Sequence, residues 1–391
     1  MENRKPFHLT RSAVHELARD YGTPLLVVSL SEIERNYMIL RRHLPRVHVH
    51  YAIKANPDPR ILERMIAMGS GFDVASDGEI MLLHRMGVES DRMVYANPIK
   101  RREGLAACRF TGVKYMTFDN ESEIGKIAAV VPDAKVLLRL RIDNRKAHVD
   151  LNKKFGCGAD QALDLMHKAK DAGLDVVGIA FHVGSQTTLA DPFLMALDIT
   201  RDLFDQAAAE GLPLRILDIG GGMPIPEHKV KFNLEEILDQ INARLDEDFP
   251  DTEIWSEPGR YICGSAVNLI TSVIGVTERN NTPWYYLDEG LYGTFSGILF
   301  DQWDFKLETF KTGPRIKATF AGPSCDSLDI MFRDRLTQPL EMGDLLLVPA
   351  CGAYTSASAT TFNGFSKAKS IVWEDVEEEY GTEPDTDAAA G

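Results

Sequence analysis

The sequence predicts a (β/α)8 TIM barrel followed by a second, C-terminal all-β domain. Two observations carry this. Between residues 48 and 259 eight short apolar runs alternate with helical patterns, the count and order of a closed barrel of parallel strands. From about residue 262 the alternation stops, and β-rich runs follow one another through turn residues. A doubly wound sheet is the rival, but its GxGxxG fingerprint is absent and Gly220-Gly221-Gly222 is a different pattern.

Taken in order, TPLLVVSL (23–30) is a strand open to either domain, and Ser29-x-x-Glu32 is a capping box that opens a helix. The barrel strands are expected at 48–55, 71–76, 93–97, 114–118, 136–142, 176–184, 215–221 and 252–259. Helical spacing falls between them, as at Pro59 to Met68, Gly78 to Met86, Glu121 to Val131, Ala159 to Ala172 and Leu194 to Glu210. Beyond them AVNLITSVIGV, WYYLDEG, IKATFAG and DLLLVPA read as strands. The expected division is an N-terminal segment packing with the β domain (1–28), the barrel (29–261), the β domain (262–372) and an acidic tail (373–391).

Composition narrows the function. With 44% hydrophobic and 26% charged residues, the chain is neither disordered, collagenous nor coiled coil. No uncharged apolar window is long enough for a membrane span, and the first residues lack a signal-peptide core, so a cytoplasmic protein is expected. The net charge of −15 argues against nucleic acid as a partner. Eight of those negative charges lie between Trp373 and Gly391, a stretch that reads as a solvated, frayed tail. Five scattered cysteines with no CxxC pair give neither a disulfide framework nor a zinc site. His48 and His50 share a strand face without a third ligand, so no metal is expected.

In a barrel of this kind the working residues sit at the C-terminal ends of the strands. There the sequence places Lys54, Asp73, Asn97, Arg139, Arg141, His182, Ser185, Gly220 to Gly222, Glu257 and Arg260. A lysine in the apolar run YAIKANP is partly desolvated, which favours the neutral, nucleophilic amine of a Schiff-base lysine. An ion-paired strand lysine fits that segment equally well. The glycine run, Arg260 and Ser185 together propose a phosphate cup. Glu257 is placed to keep a pyridine nitrogen protonated, which makes the ring an electron sink. His182 either stacks on such a ring or is a satisfied strand histidine.

The motifs YAIKANPDPRIL, GFDVASDGEI, YANPIK, FHVGSQ, LDIGGGMP, EPGRY, LDEGLYGTFSGILFD, GPSCDSLD and GAYTSASATTFNGF run in order from about residue 20 to 370. In this order the chain resembles the pyridoxal-phosphate-dependent ornithine/lysine decarboxylases of the alanine-racemase-like barrel fold, their bacterial branch above all. The resemblance implies pyridoxal 5'-phosphate as cofactor and decarboxylation of L-ornithine to putrescine, L-lysine to cadaverine, or both, in polyamine biosynthesis. It implies that Lys54 forms the Schiff base, His182 stacks on the ring and Glu257 meets the pyridine nitrogen. Ser185, Gly221, Gly222, Gly259 with its neighbour Pro258, Arg260 and Tyr354 hold the phosphate. Asp73, Glu79 and Arg139 surround the lysine.

Cys325 matches the acid that protonates the α-carbon, while Asp301 and Asp326 match carboxylates that bind the distal amine. Phe300 stands where some eukaryotic relatives have tyrosine. The resemblance also implies a homodimer whose active sites are shared across the interface, with Lys154 and Asp329 matching a pair that bridges subunits. Racemases and arginine or diaminopimelate decarboxylases share the scaffold. An aspartate at 301 selects a cation and disfavours diaminopimelate. The non-enzymatic alternative is a decarboxylase-like binding protein that has lost catalysis.

Overall fold

The structure, a computed structural model, describes residues 6–142, 154–226 and 230–381. It begins with helix α1 (Arg11–Tyr21), strand β1 (Leu25–Val28) and helix α2 (Leu30–His43). Thr10 caps α1 by accepting from the Ala13 amide at 3.3 Å.

Eight strands then close a parallel barrel: β2 (Val47–Ala52), β3 (Gly71–Val74), β4 (Met93–Tyr95), β5 (Tyr115–Phe118), β6 (Lys135–Leu140), β7 (Asp175–Phe181), β8 (Ile216–Asp218) and β9 (Glu253–Ser256). Strand β2 pairs with both β3 and β9, which leaves no edge. The helices between strands are α3 (Pro59–Ala67), α4 (Asp77–Arg85), α5 (Arg102–Thr111), α6 (Glu121–Val130), α7 (Ala159–Asp171), α8 (Asp191–Ala209) and α9 (Leu234–Asp248), with the short α10 (Arg260–Cys263) after β9. Their starts follow from side-chain chemistry: Asp58, Ser76, Asn120 and Asn233 each accept from an amide in the first turn of the helix they precede. Val94, Leu137, Val177, Ile216 and Trp255 form a buried cluster from five strands.

All eight expected barrel strands are present, and each ends two or three residues before its apolar run does, except β5. The overrun has one cause. The last residues of those runs leave the ladder to enter the loops that carry the polar residues.

The remaining strands are β10 (Val267–Arg279), β11 (Thr282–Leu287), β12 (Glu308–Thr309), β13 (Ile316–Ala321), β14 (Ile330–Thr337), β15 (Leu345–Val348) and β16 (Lys369–Val372), with helices α11 (Gly297–Asp301) and α12 (Glu377–Tyr380). They form a mixed sheet in the order β12-β15-β10-β11-β13-β14, and β1 joins it between β10 and β16. A second core lies against it, with Leu9, Val14, Leu17, Val27, Ile270 and Leu347 packed together. The chain divides into two compact units, Asn36–Tyr261 and the residues up to Arg35 joined with those from Ile262 on. The division thus falls inside α2 rather than at Ser29.

Two local expectations need correction. The capping box at Ser29 is only half made: the Glu32 amide donates to Ser29 Oγ at 3.2 Å, but the Glu32 carboxylate goes to Arg35 and Ser265. The Ser29 amide donates instead to the Ala266 carbonyl at 2.8 Å, and the next two amides, of Leu30 and Ser31, are taken by the Glu374 carboxylate at 3.0 and 2.8 Å. So the acidic stretch does not fray from Trp373. It forms a turn and α12, and Tyr380 is buried with its hydroxyl donating to Asp20 at 3.0 Å. The rest of that tail, 382–391, lies outside the described residues.

Candidate active site

The barrel unit gathers the charged residues at the C-terminal ends of its strands. Lys54 sits one turn past β2, in the 3-10 segment Ile53–Ala55. Its ammonium is ion-paired to Asp73 of β3. The Lys54 side chain is 45% exposed while that of Asp73 is fully buried. Of the two readings left open by the apolar run, the desolvated lysine is therefore not what the fold makes. The ion-paired reading of that segment is the one seen, because the strand ends before Lys54 and the side chain leans onto a carboxylate.

Asp73 uses one oxygen for Lys54; its Oδ1 has no partner among the described residues. Glu79, on α4, accepts from the Ala75 amide at 2.5 Å. Burial pushes its carboxyl up to about 7, against the Ala75 bond, and the Asp73 charge adds to the rise. Arg139 is buried on β6.

His182 follows β7. The Gly184 amide donates to its Nδ1 at 2.9 Å. An amide can only donate, so the proton of the neutral ring lies on Nε2. Burial, with Arg139 and Lys54 nearby, holds the ring well below its ordinary pKa and hence neutral. Ser185, three residues on, accepts from Arg260 Nε at 3.2 Å.

The glycine run after β8 is required by its surroundings. Gly222 has φ +109°, and a Cβ there would lie 2.4 Å from the Gly184 carbonyl. A Cβ on Gly221 would lie 2.5 Å from the Glu257 carbonyl and 3.3 Å from His182 Nε2. Only bare backbone can pass between His182 and Glu257.

Glu257 follows β9 and is nearly buried, with Oε1 unpartnered. Burial pushes its carboxyl well above the usual range, and Asp218 and Asp73 add to the shift. Pro258 accepts from the Ala52 amide at 3.3 Å, which ties this loop to β2. Gly259 and Arg260 open α10, and Arg260 is buried.

Asp218 was not among the sequence candidates. It ends β8, fully buried, with Oδ1 accepting from the Gly220 amide at 2.8 Å and Oδ2 unpartnered. Burial raises its carboxyl too, against the Gly220 bond and a hydrogen-bonding contact with Glu257. Two facing carboxylates with unpartnered oxygens make a buried site that calls for a proton or a cation. The only sequence signal was an acid closing an apolar strand immediately before a glycine turn.

The β unit carries the other candidates on loops that interlock. Cys325 is the one exposed cysteine; Cys108, Cys157, Cys263 and Cys351 are buried. The Cys325 amide donates to Asn363 Oδ1 at 3.0 Å. Next to it, Asp326 accepts from the Leu328 amide at 2.9 Å and from the Tyr292 hydroxyl, in that order the causes that hold its carboxyl below the ordinary range. The Tyr292 ring stacks on Phe362, 4.2 Å between centroids. Tyr292, Phe362 and Asn363 were not anticipated as individual site residues, though they lie in quoted motifs. Phe300 and Asp301 end α11, with Phe300 67% exposed. Tyr354 adopts a positive φ of 56° in the loop after β15. Asp329 is buried and spends its carboxylate on the Leu291 and Ser324 amides. Lys154 places its ammonium 4.9 Å over the Phe155 ring.

The barrel site fits a phosphorylated pyridine. Glu257 offers an unpartnered buried oxygen to a protonated ring nitrogen, and the glycine turn with Ser185 and Arg260 offers donors to a phosphate. Among the described residues no cluster of His, Cys, Asp and Glu is arranged to hold a metal ion. Comparison with known proteins points the same way. A lysine/ornithine decarboxylase of Selenomonas ruminantium is 50% identical over 372 residues, 95% of each chain. SrLDC, crystallised with PLP and cadaverine, superposes with a TM-score of 0.92 at 48% identity, over 96% of this chain and 97% of its own. The lysine/ornithine decarboxylase of Vibrio vulnificus, complexed with cadaverine, gives 0.87 at 36% identity, over 93% and 99%. Residues 30–264 match the pyridoxal binding domain of the pyridoxal-dependent decarboxylases, and with that match spanning the whole barrel, this chain belongs to that family.

Proposed function

We propose that this chain uses pyridoxal 5'-phosphate to decarboxylate a basic L-amino acid, L-ornithine to putrescine and L-lysine to cadaverine. The observation that carries the reading is Glu257, a buried carboxylate with a raised pKa and an unpartnered oxygen, set across a glycine turn from His182. When bound, the cofactor supplies a protonated pyridine ring that accepts the electron pair left as carbon dioxide departs.

Each residue then has a role. Glu257 holds the ring-nitrogen proton. His182, neutral and with its Nε2 proton beside Gly221, packs on the ring face. Ser185, Gly221, Gly222, Gly259, Arg260 and Tyr354 bind the phosphate. Lys54 supplies the amine that anchors the cofactor between turnovers, and Asp73 orients it. Glu79 and Arg139 complete the polar wall. Cys325 Sγ delivers a proton to the substrate α-carbon. Asp301 and Asp326 accept from the distal ammonium, and Phe300 packs against the methylenes. Tyr292 positions Asp326 by donating to its carboxylate.

The working unit in this reading is a homodimer, in which the Cys325 loop of one subunit completes the Lys54 site of the other. Leu299, Phe300 and Leu328 support it: they are 57 to 72% exposed beside or near the candidate residues, an apolar surface that a second copy would cover. A cytoplasmic setting belongs to the same reading, because all five thiols are free. No described helix is long and apolar enough to cross a membrane.

The test is product formation from L-ornithine and L-lysine, separately and in competition, with added pyridoxal phosphate. Diamine from either substrate supports the reading. Both diamines are expected, in unequal amounts, since one methylene is worth only about 1–3 kcal/mol of discrimination. Cofactor binding without either diamine would overturn the substrate assignment.

A further inference from the structure

The barrel has a second opening, at the N-terminal ends of its strands and away from the Lys54 loops. A cavity of about 730 Å³ lies there. That is the size of a pocket for a small organic molecule. Nothing in the proposed decarboxylation uses it.

Its floor is aromatic. Trp255 and Tyr115 meet edge to face with centroids 4.9 Å apart, and the His50 ring lies 4.6 Å from Trp255. The indole is held in place, since Trp255 Nε1 donates to Glu253 at 2.7 Å. His50 is only 5% exposed, and its Nδ1 reaches the His48 carbonyl at 3.3 Å. A carbonyl can only accept, so Nδ1 carries the proton. Burial lowers the imidazole pKa to about 4, so the ring is neutral. His50 Nε2 is therefore an acceptor, and no described residue pairs with it. The position is built: a Cβ on Gly71 would lie 2.3 Å from this ring.

Its wall is a set of donors. Tyr37 is 6% exposed, and its hydroxyl has no partner among the described residues. Burial raises its pKa, and Arg41 and Arg92 are both close enough to oppose that rise. Arg41 spends Nη1 on the Val47 carbonyl at 2.7 Å. Arg92 spends Nε and Nη2 on the Ser70 and Ile66 carbonyls. Each guanidinium keeps further N–H groups, and neither has a carboxylate partner among the described residues. Asp91 and Glu253 also line the cavity, but both are exposed.

We propose that this cavity is a binding site for a small heteroaromatic oxyanion, a carboxylate or a phosphate monoester. The oxyanion accepts from Tyr37, Arg41 and Arg92. The flat body lies over Trp255 and Tyr115 and donates an N–H to His50 Nε2.

Calorimetric titration of the holoenzyme, whose phosphate cup is filled, tests this. The probes are indole-3-acetate and guanosine monophosphate, each beside its uncharged counterpart, indole-3-acetamide and guanosine. One anion is expected to bind once per chain, at least ~10-fold more tightly than its counterpart, because charge-assisted hydrogen bonds are the strong ones. Which anion binds separates carboxylate from phosphate. Tyr37→Phe and Arg41→Met are each expected to weaken it about 10-fold while leaving kcat and KM for the diamino acid unchanged. The unchanged kinetics show that the variants fold. No binding of either anion at millimolar concentration overturns the proposal. So does equal binding of the uncharged counterparts, or undiminished binding to a folded Tyr37→Phe variant.

Discussion

Glu257 and Asp218 face each other, and both carboxyls are raised by burial. For an acid whose folded pKa is raised, stability is complete below the unfolded value and is lost as pH rises through the folded one. Protein stripped of cofactor should therefore lose thermal stability between about pH 5 and 8. Holoenzyme should lose less, because a protonated ring nitrogen partners Glu257. Asp218→Asn should flatten the loss in the stripped protein, and scanning calorimetry across that range checks all three. Replacing Glu257 by Gln removes the anion that holds the ring proton. A fall in kcat of ~100-fold or more, with KM little changed, is the expected outcome. At this scale the sequence placed Lys54, His182, Ser185, Glu257 and Arg260 at or just beyond the ends of apolar runs, and the barrel brings them together. Asp218 escaped because it is spaced like an ordinary strand-ending acid, and its significance appears only when the β8 and β9 ends converge. The environment of Lys54 stayed open between a desolvated and an ion-paired lysine for a related reason: where a strand stops decides whether a lysine is buried, and apolar spacing does not show where it stops.

The elements were read closely where periodicity is long, and less closely where it is short. Helices α3, α4, α6 and α7 begin and end within one residue of their expected limits, because caps such as Asp58 and Ser76 are explicit in the chain. Strands β12, β14 and β16 were not anticipated, since two to eight residues with charges among them, as in IMFRDRLT, resemble loops. At this scale the glycine turn after β8 invites Gly222→Ala. Positive φ and the Gly184 carbonyl at 2.4 Å should cost about 1–3 kcal/mol in a urea titration, with weaker cofactor binding. The start of α2 gives a second prediction. Glu374 is pushed up by burial but pulled lower overall by hydrogen bonds from Ser31 and Leu30. Its contribution is thus present above the ordinary carboxylate range and lost as pH falls. Glu374→Gln should lower stability by about 1 kcal/mol at neutral pH and by progressively less towards pH 4. A urea midpoint series at several pH values measures it.

For the whole molecule, the proposed sharing of sites between two subunits makes a quantitative prediction. Lys54→Ala and Cys325→Ala chains are each expected to be nearly inactive. Mixed and allowed to exchange, they should recover about a quarter of wild-type activity, since half the dimers are mixed and each has one intact site. No recovery in verified mixed dimers would place both residues in one subunit's site.

The sheet of the second unit joins opposite ends of the chain, with β1 lying between β10 and β16. During synthesis the four-residue strand LLVV, every residue of it buried in the finished fold, is made before the strands it pairs with and meets the last of them only after Lys369 is made. At ordinary elongation rates that interval is roughly 20–70 s. Until Val267 is made β1 has no strand partner at all, although the barrel strands are already complete at Ser256, and it gains its second partner only with Lys369. A nascent chain stalled after the barrel should display β1 as a sticky, unpaired apolar segment, and a chaperone or neighbouring ribosomes would meet it there before β10 and β16 do.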